Sequence, residues 1–167
     1  MEYRAQHHGG TLRLMTNHPP GLDEGEIVIV SIERARSPAT HRHQFAWIKD
    51  AWASLPEAVM FEDWAQTPET LRKRALIETG YYEQVVIDCE GATVAKAVGR
   101  ELRNAKREAH GYAVAAVRGN MAVVRWPESQ SMRAMGGDRF RESKSAILDW
   151  IAAQIGVAPE ELTRNAA

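Results

Sequence analysis

The 167-residue chain has a single cysteine, Cys89, so it can form no intramolecular disulfide and reads as a protein of a reducing cytoplasm. It has no run of about 18 apolar residues, which excludes an ordinary membrane-spanning helix. Its first residues, Met1-Glu2-Tyr3-Arg4, lack the apolar stretch of a secretory leader. Neither common Gly-rich phosphate loop is present, nor His-Glu-x-x-His, nor a cysteine pair for zinc. His41 and His43 do not fill that gap with Cys89, because two positions apart on a helix they point to different faces and cannot share an ion. No cofactor and no catalytic mechanism is legible. Scattered carboxylates, among them Glu33, Asp50, Glu83 and Asp88, leave a metal-dependent nuclease open without any spacing that singles them out.

What the chain does have is an uneven charge distribution beneath a net charge of -1. Residues 1–90 carry nine Lys/Arg against 14 Asp/Glu, whereas residues 91–145 carry 11 against five. A local basic field attracts a polyanion whatever the total charge, although long basic side chains also simply solvate a surface. With 44% hydrophobic residues the chain can bury a core without metals or disulfides. The expected organisation is a flexible N-terminus over 1–10, containing His7-His8-Gly9-Gly10, and one domain over 11–167.

Thr11–Met15 alternates like a short strand and ends in the turn cluster Asn17–Gly21; Ile27–Ile32 is β-branched and apolar, a second strand. Ser37-Pro38 is a cap followed by a first-turn proline and predicts a helix. Its apolar stripe would be His41, Phe45, Ile48, Trp52 and Leu55, ending at Pro56. Thr67-Pro68 starts another helix that stops at Gly80, and Tyr81–Asp88 reads as a strand. Residues 93–108 form a basic amphipathic helix with Val94, Ala95, Val98, Leu102 and Ala105 on one arc and Lys96, Arg100, Arg103, Lys106 and Arg107 on the other. Residues 112–117 and 121–126 flank Arg118-Gly119-Asn120, a connection that hairpins favour. Asp138 would cap a last helix that stops at Gly156, after a glycine-containing loop over 129–137. The class is α+β: a mainly antiparallel sheet with a β-hairpin, packed by three to four helices.

Candidate phosphate contacts are Arg34 and Arg36 at a strand end, Arg42 and Lys49 seven apart on one helical face, and the row Arg100, Arg103, Arg107. Arg133, Arg139, Arg141 and Lys144 crowd the glycine loop and the helix start that follows it. Trp47, Tyr82 and Trp126, with Tyr81 and Tyr112, are candidates for stacking on bases, against the alternative that they pack in the core. A protein-interaction module, in which the acidic N-terminal half matters more than the basic block, is the competing reading.

The stretch from Ile27 to Trp52 resembles the start of the NinB (Orf) family of lambdoid phage recombination proteins. That family has a strand, an Arg-x-Arg-Ser turn and a helix with a further Arg and an aromatic, here Arg34, Arg36, Ser37, Arg42 and Phe45. Where those proteins usually carry Gln-Asn, this chain has Thr40-His41. It is also similar to an uncharacterised phage family with Pro-x-x-His-Arg-x-x-Phe and then Gly-Tyr-Tyr-Glu, here Pro38, His41, Arg42, Phe45 and Gly80 to Glu83. The first resemblance implies a non-catalytic accessory protein of homologous recombination. Such a protein binds single-stranded DNA and the host single-strand-binding protein as a homodimer and helps to load a recombinase. The tryptophans of two amphipathic helices would supply the apolar patch that a dimer needs.

Overall fold

The computed structural model describes residues 5–14, 21, 23, 25–27, 38–131 and 133–164, and of residues 38–42 and 163–164 the backbone alone. The chain divides into two compact units, Met1–Ile32 and Glu33–Ala167. In the first, β1 (Ala5–His8) and β2 (Thr11–Leu14) form an antiparallel hairpin with Ala5 opposite Leu14 and His8 opposite Thr11. Gly9 and Gly10 make its turn with φ of 55° and 83°, the positive values that a two-residue hairpin turn requires. The expected strand is therefore present over Thr11–Leu14, and Met15 lies outside the described residues. Part of the expected flexible N-terminus, Ala5–His8, is its partner strand. The predicted strand Ile27–Ile32 lies, apart from Ile27, outside the described residues, as do Arg34, Arg36 and Ser37.

The second unit contains α1 (Pro38–Ala53), a 3-10 turn (Glu57–Val59), α2 (Pro68–Glu78), β3 (Tyr82–Asp88), α3 (Ala92–His110), β4 (Val114–Arg118), β5 (Met121–Pro127), α4 (Gly137–Ile155) and α5 (Pro159–Arg164). The fold is α+β, with an antiparallel sheet in the order β3-β5-β4. The β4–β5 hairpin pairs Val114 with Arg125 and Arg118 with Met121, and β5 pairs along its whole length with β3. Helix α3 lies over one face of the sheet, where Ala122 and Val124 are buried. Gly99 of α3 sits over Ala115, Val117 and Ala122, at a distance where a Cβ would make ordinary contact.

The start of α2 is as the sequence indicates. The Thr67 hydroxyl accepts the Thr70 amide at 3.0 Å and the Thr70 hydroxyl accepts the Thr67 amide at 3.0 Å, with Pro68 in the first turn. Two readings need correction. The N-cap of α4 is Gly136, not Asp138; Asp138 lies in the first turn and pairs with Arg141 one turn on. The buried face of α1 is Gln44, Trp47, Ile48 and Ala51, about one residue round from the expected stripe, and Phe45 is exposed. Trp47, the largest of these side chains, defines the face, and Gln44 tolerates burial because its amide donates to Gln130 Oε1 at 3.2 Å. Helix α5 is absent from the expected elements, although Pro159-Glu160-Glu161 carries the same proline and acidic start signals as α2.

The core joins α1, α2 and α4 through Trp47, Ile48, Leu71, Leu76, Ile147 and Ile151, and reaches the sheet through Tyr82, Tyr112 and Val114. All of the chain's tryptophans are buried or half-buried, so the apolar patch expected of them is not on the surface. Among the described residues, no helix is long and apolar enough to cross a membrane.

Candidate nucleic-acid interface

Helix α3 places the longest run of cations in register. Lys96, Arg100, Arg103 and Arg107 are spaced four, three and four residues apart, so they fall on one stripe about 16 Å long. The stripe borders the sheet-facing arc, where Ala95 and Gly99 are buried. His110 and Arg107 occupy the last turn, where the helix dipole favours cations, and Gly111 ends the helix with φ 76°. Within the stripe Arg100 pairs with the exposed Glu101 at 3.0 Å and Arg107 with Asp63 at 3.3 Å. Arg103 has only a long contact, 3.5 Å, to Asn104, and Lys96 has no ion pair among the described residues. Exposed pairs of this kind contribute under about 1 kcal/mol, so a phosphate can replace the carboxylate.

The other expected contacts are scattered or engaged. Arg34 and Arg36 lie outside the described residues, and of Arg42 only the backbone in α1 is described. Lys49 is exposed on α1, and Arg133 is exposed in the loop before α4. Arg139 is held by a bidentate pair to Glu128, at 2.8 and 2.9 Å, and lies 5.0 Å over the Tyr81 ring. That hydrogen-bonded carboxylate raises its pKa. Arg141 is paired with Asp138. Lys144 is half-buried with its Nζ 3.4 Å from His43 Nδ1, and burial lowers its pKa. Among the described residues, no hydrogen bond or ion pair joins Lys49, Arg133, Arg139, Arg141 or Lys144 to the α3 stripe.

The stacking candidates separate clearly. Trp47 is fully buried, so the packing alternative holds there. Trp126 is 6% exposed and covered by Lys106, whose Nζ is 3.7 Å from the ring centre, and by the His110 ring at 5.6 Å. Tyr112 is buried with its hydroxyl donating to Asp63 at 2.9 Å, and burial followed by that bond pushes its pKa up to about 12. Tyr82 is half-buried at the end of the sheet face turned away from α3, with the Arg125 guanidinium 4.6 Å over its ring and Arg125 Nε donating to Gln84 at 3.1 Å. One face of the Tyr82 ring is thus taken by Arg125, as that of Trp126 is by Lys106, and Tyr82 lies on the other side of the sheet from the α3 stripe.

A polar cleft of about 490 Å³ opens between the start of α2, the end of α3 and residues 127–131. Its cations are committed to the protein. Arg72 donates to both carboxylate oxygens of Glu69, at 2.7 and 2.9 Å, and to Gln130, and Lys73 lies 3.2 Å from Glu69. Burial alone would raise the Glu69 pKa; the hydrogen bond and charge of Arg72, with Lys73, more than reverse this and hold it below the ordinary value. Among the described residues, no three His, Cys, Asp or Glu side chains gather as a metal site would need. Glu83 and Asp88 alternate to opposite faces of β3, and Asp88 is bound by the Asn120 amide. No protein-family model matches the chain, and no curated protein and no solved structure shows a significant match to it.

Proposed function

We propose that this chain binds single-stranded DNA without a catalytic step, as an accessory protein of homologous recombination in a phage or prophage, in the bacterial cytoplasm. The observation that carries the binding is the stripe of Lys96, Arg100, Arg103 and Arg107 on α3. Its charges are spaced about 4.5–6 Å apart along the axis, comparable to successive phosphates of an extended strand. The recombination context, a homodimer, contact with the host single-strand-binding protein and help in recombinase loading come from the likeness to the NinB family.

The test is fluorescence anisotropy of a labelled single-stranded oligonucleotide, with the matching duplex beside it, over a series of salt concentrations. Neutralising three or four phosphates gives a log-log slope of about -2 to -3 on a single strand. Replacing Lys96, Arg100 and Arg103 by Gln together should remove most of that slope while the protein stays folded. Salt-independent binding, or an unchanged slope in the triple variant, would remove α3 from the interface.

A further inference from the structure

The loop between α1 and α2 exposes the adjacent pair Met60 and Phe61, with relative exposures of 56% and 96%. The backbone that carries them is held by hydrogen bonds on both sides. Gln66 Nε2 donates to the carbonyl oxygens of Met60 and Glu62, at 3.1 and 3.0 Å, and so clamps the chain on both sides of Phe61. Turn hydrogen bonds join Met60 to Glu57 and Glu62 to Val59. Below them Val59 packs on the core, Trp64 is buried edge-on against Trp150 at 5.7 Å, and Trp52 Nε1 donates to the Ala65 carbonyl at 2.7 Å. Asp63 accepts from Tyr112 and Arg107. The phenyl ring is thus presented by a rigid frame, and a partner would not have to order the loop on binding.

The surroundings define what fits it. From residue 50 to residue 71 the chain has Asp50, Glu57, Glu62, Asp63 and Glu69 and no Lys or Arg. Glu57 and Glu62 flank the ring in sequence and are exposed without an ion pair among the described residues. An apolar tip framed by carboxylates repels nucleic acid and anionic membrane alike, and is complementary to an apolar socket rimmed by Lys or Arg.

We infer that Phe61 and Met60 form a docking knob for a second protein that presents an apolar socket with a basic rim. A single aromatic anchor entering a pocket, with charges at the edge setting orientation and rate, is how a small interface gains most of its affinity. The inference does not depend on DNA binding, because the acidic loop and the α3 stripe carry opposite charge, and among the described residues the ion pair between them is Asp63 with Arg107.

Site-specific photo-crosslinking of the full chain in bacterial cells, with a benzophenone amino acid in place of Phe61, tests it. The expected result is one discrete adduct whose crosslinked peptide lies at an apolar pocket bordered by Lys or Arg. The purified pair should then lose affinity at least about tenfold with Phe61→Ser, and severalfold with Glu57→Lys or Glu62→Lys. Melting temperature and oligonucleotide affinity should not change in Phe61→Ser, which separates this result from the fate of the DNA reading. No adduct, adducts spread over many proteins, an adduct with a second copy of the chain, or a partner indifferent to Phe61→Ser would each overturn the inference.

Discussion

Arg72 and Gln130 meet at 2.5 Å in the interior, where Gln130 Oε1 accepts from the guanidinium and from Gln44 while its amide donates to Ser143 at 2.7 Å. One side chain thereby ties α1, α2 and α4 to the loop that follows β5. All three partners are buried, so removing it strands polar groups, one of them charged. Gln130→Leu is expected to cost about 3 kcal/mol, read as a lower denaturant midpoint with an unchanged slope. A loss under about 1 kcal/mol would show that the network is not holding the helices together.

Glu69 makes the same cluster sensitive to acid. Its native pKa lies below the ordinary 4.5, so the folded state binds its proton less readily than the unfolded state. The stability from this difference is fully present above pH 4.5 and is lost as pH falls through the lowered native value. Glu69→Gln should therefore be less stable near neutrality and should flatten the acid limb of a stability–pH curve below pH 4.5. An unaltered acid limb would count against the pairing.

How far the sequence could be read follows from the range of the forces involved. The cap and proline at Thr67-Pro68 and the connection around Gly119 act within a few residues, and α2 and the β4–β5 hairpin stand where those signals put them. The face of α1 could not be read, because Gln44 is polar by type and is buried only by virtue of Gln130, 86 positions away. The row Arg100, Arg103, Arg107 was visible from helical spacing alone, and the same spacing admits Lys96. That Arg139 is engaged by Glu128 across 11 positions was not. Nothing local in the sequence marks Phe61 as exposed, since its setting depends on the Gln66 side chain bonding the carbonyls on either side of it.

Tyr112 sets an alkaline limit. Its pKa is pushed up to about 12, so the folded state holds the phenolic proton more tightly than the unfolded state does. The resulting stability is complete below the ordinary value of 10.0 and disappears as pH rises through about 12. Ultraviolet titration should show one tyrosine ionising last, and Tyr112→Phe should abolish that step and lose about 1 kcal/mol through the bond to Asp63. Persistence of the late step in Tyr112→Phe would assign it elsewhere.

Two glycines at opposite parts of α3 should respond with opposite sign. A Cβ at Gly99 would meet Ala122, Ala115 and Val117 at 3.7–3.9 Å, ordinary contact distance, so Gly99→Ala should stabilise the helix by about 0.5–1 kcal/mol. At Gly111 φ is 76° and a Cβ would stand 2.3 Å from Lys73 Nζ. Lys73 can swing aside, but the left-handed backbone remains, and Gly111→Ala should destabilise by about 1–2 kcal/mol. Thermal melting of both variants decides the matter; a destabilised Gly99→Ala would mean that the helix cannot approach the sheet with a methyl group between them.

The assignment of the DNA surface to α3 predicts a contrast among arginines that look alike in the sequence. Arg103 makes one long contact, whereas Arg139 is bound through two short bonds to a carboxylate that would have to be released before a phosphate could replace it. Arg103→Gln and Lys96→Gln should each lower the salt slope of single-strand binding by about 0.7 and weaken affinity evenly across sequences. Arg139→Gln should leave the slope unchanged and act on stability instead, through the unpaired Glu128. If the slope falls with Arg139→Gln and not with Arg103→Gln, the strand runs over the start of α4, and α3 is a solvated face.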